Sequence, residues 1–230
     1  MTSGQPQVDL RALADGYLTA LLEARRHDAE RMILGAVEGG SATIHQVYLE
    51  VFAPVLREVG RRWQSNELTI AEEHYVSAAT QLVMSRLYAR IFATERRGLT
   101  MIAACAGTEF HEIGLRMVAD FFELDGWDTH YLGADVADDA MVRALRERGA
   151  HLLALSTTMV EHVPQVRATI AAIRADPAAA SVKILVGGSA FRARSELWRE
   201  IGADGCTSDA VGAVALANEL VGAAPRGGRR

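Results

Sequence analysis

The feature that most limits what this chain can fold into is a change in the period of its apolar residues near residue 94. From Val8 to about Phe92, apolar side chains recur at three- and four-residue spacings, glycine and proline are sparse, and β-branched runs are absent, which is the pattern of amphipathic helices. Beyond the polar break Thr94-Glu95-Arg96-Arg97-Gly98, strand-like runs appear at 100–106, 127–132, 151–155, 182–186 and 203–206. Helical patterns at 113–124, 137–148, 163–175, 195–201 and 209–221 alternate with them. Such alternation requires a parallel sheet with helices on both faces. Right-handed crossovers make it a doubly wound, flavodoxin-like domain, with the strand order 2-1-3-4-5 expected.

The helical half reads as a four-helix bundle. Leu10, Leu13, Ala14, Tyr17, Leu18 and Leu21 share one face, Arg25-Arg26-His27-Asp28 interrupts the pattern, and a short helix follows through Met32, Ile33 and Val37 to Gly39-Gly40. Ser41 is placed to cap the next helix, about 42–63, in which Pro54 lacks a backbone donor and should kink or divide the rod at Phe52-Ala53. After Gln64-Ser65-Asn66, Thr69-Ile70-Ala71-Glu72 is a capping box that opens a long helix. The expected organisation is a helical cap over 8–93, a linker at 94–98, an α/β domain over 99–222 and a disordered tail from 223.

Half of the 230 residues are apolar, enough for a substantial core, and the net charge of -5 argues against nonspecific nucleic-acid binding by the whole chain. Two cysteines, Cys105 and Cys206, lie in apolar strand-like runs and read as reduced, buried thiols of a cytoplasmic protein. The N-terminus shows no signal pattern, and no apolar run reaches membrane-spanning length, so neither secretion nor membrane insertion is expected.

In the expected strand order the topological switch lies between the first and third strands, where ligands of open α/β sheets dock. The first strand runs into Thr108-Glu109-Phe110-His111-Glu112-Ile113-Gly114, the third ends in Ser156-Thr157-Thr158 and the fourth in Gly187-Gly188-Ser189. A histidine with a carboxylate two residues before it is a sensible metal ligand, because the carboxylate can hold the second ring nitrogen. Gly187-Gly188 removes side chains where a ligand would need close backbone approach. No G-x-G-x-x-G follows the first strand and no G-K-[ST] follows any, so this is not a nucleotide phosphate grip. Carboxylate, imidazole, hydroxyls and a glycine floor suit a metal-bearing ligand with an elongated tail.

Glu109-x-His111-x-x-Gly114, forty-one residues, Ser156-x-Thr158, twenty-eight residues, then Gly187-Gly188 resembles the D-x-H-x-x-G…S-x-L…G-G signature of cobalamin-binding domains that hold the corrinoid base-off. The resemblance implies that His111 is the lower axial cobalt ligand, Glu109 its supporting carboxylate, Ser156 the third member of the relay, and Gly187-Gly188 the floor beside the displaced dimethylbenzimidazole tail. Glu109 stands for the usual Asp, adding a methylene, and Thr158 for Leu, altering the tail channel.

The helical half resembles the cap that precedes such domains in methionine synthase, corrinoid methyl carriers and light-sensing B12 proteins. Trp63-x9-Glu73-His74 looks like the W-x9-E-H motif of the photosensory branch, which implies that Trp63 and Glu73 enclose a 5′-deoxyadenosyl group with His74 beside them. In the related light-sensing repressors a histidine follows the tryptophan; here that position is Gln64, which puts a bis-histidine photoproduct in doubt, with His74 a substitute.

By this resemblance the chain is expected to be a sensor and not an enzyme. It would bind adenosylcobalamin, lose the adenosyl group in light and change conformation, self-association or regulatory partner. A biliverdin-type bilin as second chromophore is left open by Gln64. The repressors carry a helix-turn-helix domain for which this chain has no room, so no direct DNA binding is expected. The alternative is a methyl-carrying corrinoid protein of a methyltransferase system, which would share His111, Ser156 and Gly187-Gly188 without needing Trp63, Glu73 and His74. A mutase subunit is disfavoured by the cap and by the absence of a barrel domain.

Overall fold

The computed structural model describes residues 8–106, 111–192, 194 and 196–224, and the chain divides into two units, Met1–Arg90 and Ile91–Arg230. The first unit is helical: α1 (Leu10–Leu22), α2 (Arg26–Glu38), a rod formed by α3 (Ile44–Gln46), a π-helical turn (Val47–Phe52) and α4 (Ala53–Gln64), and then α5 (Ile70–Ile91). Asp9 caps α1 by accepting from the amides of Arg11 and Ala12. The cap of α3 is Thr43, in a capping box with Gln46, and not Ser41, whose hydroxyl donates to the Ala36 carbonyl at 3.2 Å.

Pro54 does not break the third rod. The wide turn before it, closed by a hydrogen bond from the Ala53 amide to the Tyr48 carbonyl, absorbs the missing donor. That turn also buries Val47, Tyr48, Val51 and Phe52. Phe52 packs against the rings of Tyr48 and Tyr17, with centroids 5.4 and 5.5 Å apart, and the buried Tyr17 hydroxyl donates to Thr80 at 3.1 Å. The expected capping box at the start of α5 is present, with the Thr69 amide 2.7 Å from Glu72 Oε2 and the Glu72 amide 3.3 Å from Thr69 Oγ1.

The second unit contains a five-stranded parallel sheet in the order β2-β1-β3-β4-β5, as the crossover rule requires. The strands are β1 (Thr100–Cys105), β2 (Asp128–Gly133), β3 (Leu152–Ser156), β4 (Lys183–Gly187) and a two-residue β5 (Gly205–Cys206). Alternation along the strands divides the core into two layers. Met101, Ala103 and Cys105 join Leu152, Ala154 and Leu185 beneath α6 (Ile113–Asp125) and α11 (Ala210–Leu220). Ile102 and Ala104 join Leu153, Leu155, Ile184 and Val186 beneath α7 (Asp138–Glu147) and α8 (Val163–Ala175). The helix expected at 195–201 is present as the short α10 (Leu197–Glu200), and a further short helix not expected from the sequence, α9 (Ser189–Arg192), follows β4. Among the described residues no helix is long and apolar enough to cross a membrane.

The polar stretch before β1 is fastened to the second unit. Arg96 pairs with the buried carboxylate of Glu123, and the Arg97 guanidinium pairs with Asp125 and reaches Asn218 Oδ1 at 3.2 Å. Asn218 in turn accepts from the Trp127 indole at 3.2 Å and donates to Asp125 at 3.0 Å. Of the expected tail, the Ala223 amide bonds the Asn218 carbonyl at 2.8 Å and Arg97 donates to the Ala224 carbonyl; 225–230 lie outside the described residues.

Candidate functional site

Of the residues singled out in the second unit, the carboxyl edge of the sheet brings Ser156 and Gly187 side by side. Cys105 of β1 is in register with Ser156 of β3, and Ser156 is in register with Gly187 of β4, so three loops leave the sheet from adjacent points at the β1/β3 switch. His111 is exposed just ahead of α6, and its carbonyl accepts from Cys105 Sγ at 3.9 Å. Glu109 lies outside the described residues. Thr158 places its carbonyl 2.8 Å from the Ser189 hydroxyl, which ties the loop after β3 to the start of α9.

The two adjacent glycines are needed for different reasons. Gly188 has φ +100°, and a Cβ there would stand 2.1 Å from the Thr157 carbonyl oxygen. The close backbone approach at Gly188 is therefore made by the neighbouring loop of this same chain, reinforced by the Thr157 amide bonding the Gly187 carbonyl at 3.0 Å. A Cβ at Gly187 would meet the Thr207 carbonyl at 3.3 Å, a contact that needs only a small shift. Gly114, in the first turn of α6, has nothing within 4 Å of a built Cβ. Nothing among the described residues demands glycine there.

Trp63, Glu73 and His74 belong to the first unit, on either side of the loop joining α4 to α5. That loop is well fastened: the Asn66 amide bonds the Trp63 carbonyl at 3.0 Å, the Glu67 amide bonds the Arg62 carbonyl at 2.8 Å, and Arg61 bridges Glu58 and Glu67. Arg61 and Arg62 hold the Glu58 carboxyl down at about 2. The Trp63 indole is 40% exposed, a large apolar surface left outside the core. Glu73 is mostly buried, accepting from Ser77 at 2.8 Å and standing 3.5 Å from His74 Nε2, while the His74 ring is exposed.

The donor set tests what this edge can hold. Among the described residues no three His, Cys, Asp or Glu side chains gather to chelate a bare metal ion. An exposed imidazole, hydroxyls and open room beside Gly114 suit a metal that arrives with its equatorial positions already filled by a macrocycle. The sequence profile of the B12 binding domain matches residues 99–216, just over half of the chain. The chain belongs to the B12 binding domain family. A second B12 binding domain profile matches 13–88, within the helical unit. The ligand class that the family recognises is a cobalt corrinoid.

Relatives of this family member fall into two groups. The HTH-type transcriptional repressor CarH of Myxococcus xanthus is 32% identical over 144 residues, covering 62% of this chain and 47% of the repressor, so this chain spans about half the length of that relative. A corrinoid protein of Desulfitobacterium hafniense (strain Y51) is 26% identical over 170 residues, covering 71% of this chain and 77% of its own. The monomethylamine corrinoid protein of Methanosarcina barkeri shares the fold, with a TM-score of 0.80 at 20% identity over 91% of this chain and 98% of its own.

Sequence reasoning missed Glu112 and Tyr131. The Tyr131 hydroxyl of β2 lies 3.1 Å from Glu112 Oε2 and 3.4 Å from the Glu112 carbonyl, next to His111. Burial first, then the Glu112 carboxylate and Cys105, push the Tyr131 phenol far above its ordinary value, so it remains a hydrogen-bond donor. A Gly133 two residues after a strand tyrosine was the available signal, but tyrosine is so ordinary in strands that it points to no site.

Proposed function

We propose that this chain is a cobalamin-dependent light sensor and not a catalyst, binding adenosylcobalamin base-off with His111 as the lower axial ligand. Adenosylcobalamin supplies a cobalt–carbon bond that light can break. His111 gives the imidazole lone pair, Glu109 and Ser156 hold and orient that ring, Gly114 leaves room for the corrinoid, and Thr158, Gly187 and Gly188 line the floor beside its tail. Trp63, Glu73 and His74 are assigned to the adenosyl group, with the indole excluding water by packing on it. Loss of that group changes which contacts these side chains can make. Such a difference in contacts is what a two-state switch in conformation, self-association or regulatory partner requires. A bilin beside the corrinoid is compatible with Gln64, and a reducing cytoplasm with the two free thiols.

The observation that carries this reading is the exposed Trp63 indole standing with a mostly buried Glu73 at one loop of the helical unit. Such an exposed indole leaves apolar surface available to a ligand, and the repressor CarH is the relative with the higher identity of the two. A methyl carrier working with a separate methyltransferase is the second reading, favoured by the wider coverage of the corrinoid protein of D. hafniense. Reconstitution in the dark with adenosylcobalamin and with methylcobalamin, followed by absorbance and size measurements before and after green light, separates the two. The sensor reading expects photoconversion of the adenosyl form with a change in size or partner binding. Tight adenosyl binding with no light response of either kind would sink it. His111→Ala is expected to lose the imidazole-ligated spectrum, and its retention would show that another residue holds cobalt.

A further inference from the structure

We infer that Glu112 and Tyr131 form a positioning pair that sets the His111 backbone before ligand arrives; this rests on the reading of His111 as the axial ligand. Glu112 is the residue before the first turn of α6, yet its side chain makes no cap bond there. It turns sideways to the Tyr131 hydroxyl, 3.1 Å away, while its own carbonyl accepts the Arg116 amide at 3.0 Å and opens the helix. A phenol donating to a carboxylate is a charge-assisted bond, stronger than a neutral one. The same hydroxyl is 3.4 Å from the Glu112 carbonyl, so a single strand residue faces both polar groups of Glu112.

The end of β2 is shaped for this contact. The pairing of β2 with β1 slips between Ala103 and Ala104, so that Ala103 opposes Tyr131 and Ala104 opposes Gly133, leaving Leu132 as an extra residue with its side chain exposed. A bulge of this kind re-aims the residues around it. Gly133 follows at φ +75°, and a Cβ on it would stand 3.2 Å from Glu112 Oε2, so the glycine leaves the carboxylate its room. From the other side Cys105 Sγ reaches the His111 carbonyl at 3.9 Å. The chain is thus held from β1 at the His111 carbonyl and from β2 at the side chain and carbonyl of the adjoining Glu112, by residues outside the cobalamin signature. An imidazole whose backbone is already placed binds its metal with less ordering cost.

The test uses the full chain without ligand and then with cobalamin. In Tyr131→Phe the ring stays and only the hydroxyl goes. Amide exchange from Glu112 to Arg116 in the ligand-free protein is expected to speed up about five-fold, with β1 and β3 unchanged. Affinity for hydroxocobalamin is expected to weaken about three- to ten-fold while the imidazole-ligated spectrum at saturation is retained. Glu112→Gln keeps an acceptor and should fall between wild type and Tyr131→Phe. Unchanged exchange at Glu112 to Arg116, or faster exchange with unchanged affinity, overturns the inference. His111→Ala separates this from the ligand assignment: if it keeps the imidazole-ligated spectrum the axial reading fails, whatever the exchange data show for the pair.

Discussion

Replacing Gly188 with alanine should damage the α/β unit through the chain's own packing, whether or not any ligand is present. The backbone there sits at φ +100°, where an L side chain costs about 1–2 kcal/mol. The added Cβ would lie 2.1 Å from the Thr157 carbonyl oxygen, 2.7 Å from its carbon and 3.0 Å from its nitrogen. All three are backbone atoms, so no rotamer change relieves the overlap, and the loops after β3 and β4 must separate, an overpacking cost of about 1–3 kcal/mol. Separation also stretches the 3.0 Å bond from the Thr157 amide to the Gly187 carbonyl, which contributes about 1 kcal/mol. The total is about 3–6 kcal/mol, or a fall of roughly 10–20 °C in the melting temperature of this unit. Gly114→Ala is the matched control. It has open space and sits in a helix, so it should raise stability by about 0.5–1 kcal/mol. Calorimetry of the ligand-free proteins reads both. If Gly188→Ala melts within about 2 °C of wild type, the steric reasoning is refuted. If Gly114→Ala is stable but binds cobalamin poorly, the need for that glycine comes from the ligand alone.

Arg97→Ala should destabilise the second unit by about 2 kcal/mol, because Asp125 and Asn218 lose a charged partner in a place where Arg97 and Asp125 side chains are only 14% exposed. Urea unfolding followed by amide exchange of the β1 and β3 strands reads the loss, and an unchanged midpoint would contradict it. Glu72 gives a pH dependence to the helical unit. The Thr69 amide and then its hydroxyl lower its pKa from 4.5, so the folded state binds this proton less readily than the unfolded chain. Its stabilisation is complete above 4.5 and is lost as the pH falls through the lowered value. Glu72→Gln should therefore flatten the acid limb of a stability-against-pH curve below 4.5, while an unchanged slope would assign that limb to other carboxylates.

The lettering of this chain was unusually readable where local rules decide the outcome. Thr69 and Glu72 formed their box because both partners lie within four residues, and the strand order followed from crossover handedness without any side-chain detail. The candidate residues at Ser156 and Gly187 came out as register neighbours because parallel strands bring their carboxyl ends to one edge. Local rules failed at Ser41, where Thr43 offered the complete box two residues further on, and at Pro54, where a π turn took up the missing donor.

What the sequence determined by itself was the two-part layout, the doubly wound topology and the loops that carry the cobalamin signature, since periodicity, capping and handedness act over short stretches of chain. Tertiary structure alone decided that Gly188 answers to Thr157 and Glu112 to Tyr131, and that Arg97 joins Asp125 and Asn218. Those contacts join residues roughly twenty to more than a hundred positions apart, and their geometry depends on strand register, a bulge and the close approach of two loops. No local pattern encodes such distances, because each is the sum of packing over the whole unit.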